Sequence, residues 1–109
     1  MAYDEALADC VRELLTHRTD ISERKMIGAL CFLVGDRMAC GVTGAALMVR
    51  VGREAQSELI RRSYIWPMRV GARAMAGFVR VDVAELPADE SVMAWVLRGV
   101  EFASTVETG

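Results

Sequence analysis

Between Gly28 and Val34 both alternating sets of side chains are apolar, Leu30, Phe32 and Val34 on one side and Cys31 and Leu33 on the other. The strand this run predicts has no polar face and must be covered on both sides. Gly35-Asp36 follows, a pair suited to a two-residue hairpin loop with glycine in the first position. Such a loop sets Leu33 opposite Met38, Phe32 opposite Ala39 and Cys31 opposite Cys40. The chain turns again around Gly44, and Leu47, Val49 and Val51 then alternate with Met48 and Arg50, a third strand with a partly polar face. Three strands in immediate succession predict an antiparallel meander.

Helical spacing brackets this meander. Leu7, Cys10, Val11, Leu14 and Leu15 recur at i, i+3, i+4, i+7 and i+8, predicting an amphipathic helix from about Tyr3 to His17. In Asp20-Ile21-Ser22-Glu23, Asp20 is placed to cap free amides and Glu23 to reach back, which predicts a short turn leading into the sheet. After Gly52, REAQSELIRR predicts a helix burying Ala55, Leu59 and Ile60. Ile65 to Val70 is extended, with Pro67 suited to a sheet edge or bulge because it lacks an amide donor. Gly71-Ala72-Arg73 predicts a turn and Met75 to Val81 the last strand. Asp89 is the expected N-cap of a closing helix whose stripe is Val92, Trp95, Val96, Gly99, Val100 and Ala103. Glycine on that stripe costs about 1 kcal/mol relative to alanine, which points to close helix packing.

The predicted order is α-β-β-β-α-β-β-α. It implies an α+β fold, a two-layer α/β sandwich with an antiparallel five-stranded sheet. The 109 residues suffice for one domain with a single core, spanning residues 1–109. A content of 53% hydrophobic and 26% charged residues excludes a disordered chain. Arg37 and Arg50 interrupt the longest apolar tract, so no membrane span is expected. The acidic start MAYDEALADC is unlike a secretory signal, and the expected location is the cytoplasm.

Charge is unevenly placed. From Arg50 to Arg80 there are seven arginines against Glu54 and Glu58, a net +5, whereas the rest of the chain carries −7. Such a division marks an anion-binding face or halves that attract each other across a dimer.

One set of residues comprises Met26, Gly28, Leu30, Phe32, Met38, Ala39 and Gly41, followed by Leu47-Met48-Val49-Arg50-Val51-Gly52. A second set comprises Pro67-Met68, Arg73, Met75 and Gly77-Phe78-Val79, and Trp95-Val96 with Gly99 closes the pattern. Together these resemble the TfoX N-terminal domain family, the first domain of regulators of natural competence. The resemblance implies a secretion-chaperone-like fold, with helices against one antiparallel sheet, often dimeric and bacterial. Competence regulators carry a second, helical domain, and the chain ends at Gly109, so architecture transfers more directly than a transcriptional role.

Candidate chemistry is sparse. Arg50, Arg69, Arg73 and Arg80 fall on or between strands, where guanidinium groups either hold a small carboxylate or phosphate or remain solvated. Cys31 and Cys40, as cross-strand neighbours, either form a redox pair or pack as reduced thiols. Three cysteines without a CxxC do not make a zinc site. His17 is the only histidine and suits a helix end. No phosphate-binding glycine loop and no helix-turn-helix is present, and lysine occurs only at Lys25. The expectation is a non-catalytic regulatory or protein-interaction domain, homodimeric, without cofactor or metal and without specific DNA binding of its own. The alternative is a small-anion-binding or weakly catalytic module built on the arginines.

Overall fold

A computed structural model describes residues 3–26 and 28–105. The chain forms α1 (Glu5–Leu14), β1 (Ile21–Met26), β2 (Ala29–Val34), β3 (Arg37–Thr43), β4 (Ala46–Arg50), α2 (Arg53–Leu59), β5 (Ile65–Val70), β6 (Arg73–Asp82), a 3₁₀ turn (Val83–Glu85) and α3 (Val92–Thr105). All neighbouring strands are antiparallel, in the order β1-β2-β3-β4-β6-β5. The two-layer α+β sandwich is as expected from the sequence. The sheet has six strands, not five.

The additional strand is β1. Its sequence ISERKM has no apolar period, and four of its six residues are exposed, so nothing local marks it as extended. It forms because β2 would otherwise leave a row of backbone donors and acceptors unpaired. Glu23 does not reach back to a cap. It receives a two-pronged hydrogen bond from Arg12 of α1, at 2.8 and 2.9 Å. The charged residues of β1 also blunt the sheet edge it occupies.

Gly35 has φ +63°, as the predicted hairpin requires. The register beyond it departs from the expected one. Leu33 faces Met38, but a bulge then shifts the pairing, so that Phe32 faces Cys40 and Cys31 faces Gly41. Ala39 is the extra residue, and Ala39 and Cys40 both enter the core beneath the helices.

In α1, Asp4 accepts the Leu7 amide at 3.0 Å as N-cap. Ala8, Val11 and Leu15 are buried, whereas Cys10 is exposed. Cys10 precedes Val11 by one residue, a rotation of about 100° away from the buried line. The helix is shorter than the 3–17 span its spacing suggested, and α2 ends at Leu59 rather than Arg62. The cap of α3 is Ser91, whose hydroxyl accepts the Ala94 amide at 3.1 Å, in place of the expected Asp89.

Helices and sheet enclose the main core, which includes Phe32, Leu47, Val49, Val79, Val81, Trp95, Val96 and Val100. Position 99 decides how closely α3 approaches. A β-carbon there would lie 2.4 Å from the Ala39 carbonyl oxygen, so only glycine allows the helix to rest on β3 at this height. Close packing is therefore the reason for glycine on the stripe.

Candidate functional site

Among the described residues the opposite face of the sheet carries no helix. Ala29, Cys31, Leu33, Met48 and Met68 form a second buried cluster there, with Met26, Met38, Met75 and Phe78 packed against it. Met48 on β4 bridges to β2 across β3, where Gly41 provides the space: a β-carbon at position 41 would meet the Met48 ε-methyl at 2.9 Å. The long, unbranched thioether thus fills a gap that a branched side chain would not. Methionine acts as the gap-filler at these positions.

Trp66 is an exception to this burial. It lies on edge strand β5 opposite Arg80, and 53% of its surface is exposed. Trp66, Pro67, Met68, Arg69, Arg80 and Thr43 line a cleft of about 350 Å³. Next to Thr43, Gly44 accepts the Asp4 amide at 2.8 Å. That bond ties the acidic start of α1, Asp4 and Glu5, to the β3–β4 turn, one residue beyond Thr43.

The four arginines singled out in the sequence have different surroundings. Arg69 and Arg80 share this cleft. Arg50 donates to the Met38 carbonyl at 3.3 Å, and its guanidinium lies 5.5 Å from the Phe78 ring centre and 5.9 Å from that of Phe102. This places Arg50 as a stacked, partly buried packing element. Arg73 begins β6, opposite Val70 at the hairpin end. The sequence could not separate these roles, because strand alternation says which face a residue takes and not which aromatic ring covers it.

Cys31 and Cys40 belong to different clusters, one on each face of the sheet. Both are free thiols. Burial pushes the Cys40 thiol up to about 12, with a smaller contribution from Cys31, and burial likewise raises Cys31. The expected cross-strand pairing is thus replaced by a diagonal one through the sheet, caused by the bulge at Ala39. A disulfide needs both side chains on one face.

Two polar networks escaped the sequence reading. Gln56 of α2 donates through Nε2 to the carbonyls of Phe78 (2.8 Å) and Met75 (3.1 Å), and its Oε1 accepts the Gly77 amide at 2.9 Å. Gly77 has φ +83°, and its carbonyl in turn accepts the Val51 and Gly52 amides. One amide side chain therefore fixes an irregular point of β6 to α2. The second network centres on Glu90, which accepts the Trp95 indole N–H at 3.0 Å and the Tyr64 hydroxyl, while Arg62 donates to Tyr64 at 3.1 Å. No periodicity marks either Gln56 or Glu90, since each acts on backbone or side chains distant in the chain.

Among the described residues no three His, Cys, Asp or Glu side chains gather where they could hold a metal ion. Among the same residues no helix is long and apolar enough to cross a membrane. A family model described as the TfoX N-terminal domain matches residues 13–103. No curated protein and no solved structure matches the chain.

Proposed function

The chain belongs to the TfoX N-terminal domain family, and from that premise we propose that it is a non-catalytic regulatory or protein-interaction domain that acts as a homodimer. The observation that carries this reading is the exposed Trp66 on the helix-free face, in one cleft with Arg69 and Arg80. Tryptophan and arginine are the side chains most often responsible for interface energy. A basic cleft and an acidic helix start on the same chain carry complementary charge. A two-fold axis brings the cleft of each protomer against the Asp4 and Glu5 region of the other, as an isologous contact requires.

Sedimentation velocity over a range of protein concentrations tests the assembly. The expected species has twice the 12.0 kDa chain mass. Trp66→Ala should shift it toward monomer, and so should the single charge reversals Arg80→Glu and Glu5→Lys, whereas the two reversals together should restore it. A monomer at every concentration overturns the homodimer. A dimer indifferent to all three single substitutions overturns the assignment to this face.

A further inference from the structure

Another cavity is on the other side of the molecule from Trp66. It measures about 440 Å³, lies between the end of α2 and the outer side of α3, and is lined by Ala55, Glu58, Leu59, Arg61, Arg62 and Arg98. Three guanidinium groups face one carboxylate there. Their cationic character is not equally engaged. Arg62 is held by the Tyr64 hydroxyl and lies 3.5 Å from Glu90, so part of its charge is already answered. Arg98 is steadied by the Trp95 ring, 5.5 Å from its centre, a contact that leaves the guanidinium edge available. The Arg61 side chain has no hydrogen-bond or ion-pair partner among the described residues.

We propose that this cavity binds a small, multiply charged oxyanion of the phosphate or pyrophosphate class, held by Arg61 and Arg98 with Arg62 as a preset third donor. Guanidinium groups present paired N–H donors in a plane, the geometry that matches two oxygens of one phosphoryl group. Arg62 and Arg98 are restrained before any ligand arrives, so little side-chain freedom is lost on binding. A compact anion is favoured over a nucleic-acid strand because the arginines converge on one cavity instead of forming a stripe. Glu58 opposes the ligand and sets an upper limit on its affinity. The site is separate from the four strand-borne arginines considered from the sequence, and it does not depend on the homodimer.

Isothermal titration of the whole chain with inorganic pyrophosphate, against sodium chloride at equal ionic strength, tests the proposal. The expected result is saturable binding of one anion per chain. Arg61→Gln and Arg98→Gln should each weaken it about tenfold, the loss of one charge-assisted contact, and Glu58→Gln should tighten it. Arg61, Arg98 and Glu58 are all exposed, and circular dichroism of each variant confirms that the fold persists. Arg24→Gln, on β1 and outside the cavity, should bind as the parent does. No saturable binding overturns the proposal, as does binding that survives both Arg61→Gln and Arg98→Gln. Citrate binding as tightly as pyrophosphate overturns the phosphate class.

Discussion

Gly99 of α3 rests on the backbone of Ala39 in β3 so closely that a β-carbon at position 99 would stand 2.4 Å from the Ala39 carbonyl oxygen. The neighbour is main chain, held by its strand partners and unable to swing aside. Gly99→Ala should therefore destabilise the fold by about 1–3 kcal/mol through overpacking, against the gain of about 1 kcal/mol that alanine gives a solvated helix. Urea denaturation of the two proteins measures the difference, and an alanine variant more stable than the parent would show that α3 can lift away from the sheet without cost.

The Gln56 amide makes three hydrogen bonds to β6, two as donor and one as acceptor. Gln56→Glu keeps the size and the acceptor but replaces the donor with an oxygen facing two carbonyls. A loss of about 2–4 kcal/mol at neutral pH is expected, from the missing bonds and the unpaired polar groups left behind. Gln56→Glu should recover part of that loss below pH 4, where a protonated carboxyl again donates. Thermal melts at both pH values separate this from a change in helix propensity.

Replacing Glu90 by Ala leaves the Trp95 N–H and the Tyr64 hydroxyl without their acceptor and Arg62 without its carboxylate. Destabilisation of about 1–3 kcal/mol is expected. Glu90→Gln retains an acceptor oxygen and should lose less. Because Trp95 reports on the site directly, its fluorescence should change in Glu90→Ala in the folded state, and an unchanged native spectrum would argue that the indole bond is dispensable.

Met48→Ala opens the space over Gly41 and between β2 and β4, and should cost about 2–5 kcal/mol as a large-to-small change in a packed cluster. Met48→Leu, of similar volume but branched, should cost less than about 1.5 kcal/mol. If both substitutions are silent, the second cluster is not part of the folding core.

The cysteines give a pH dependence with a definite sign. The Cys40 thiol is pushed up to about 12 in the folded chain by burial, above its ordinary value near 9. The unfolded chain thus loses this proton first. Below about pH 9 the contribution of Cys40 to stability is at its full value, and it is lost as the pH rises from 9 toward 12. Reaction with an aromatic disulfide reagent at pH 8 should label only the exposed Cys10 in the native protein, and all three thiols after denaturation. Rapid labelling of Cys31 or Cys40 without unfolding would contradict their burial.

The sequence alone determined the elements whose chemistry is local. The both-face burial of β2, the Gly35 hairpin, the apolar stripe of α3 and the succession of antiparallel strands each follow from the alternation or spacing of neighbouring residues. The family follows from the same residues, because their types are constrained by the fold they share. Tertiary structure alone decided the rest. It made Ile21–Met26 a strand, since a polar segment pairs with β2 for its backbone and not its side chains. It inserted Ala39 as a bulge and so sent Cys31 and Cys40 to opposite faces, because a one-residue shift reverses every side chain beyond it. It also divided the arginines, stacking Arg50 on two rings, setting Arg80 beside Trp66 and gathering Arg61, Arg62 and Arg98 around one cavity. Spacing along a chain specifies which face a side chain takes. Which groups meet across that face depends on how separate elements dock, and that is settled only when the whole core is packed.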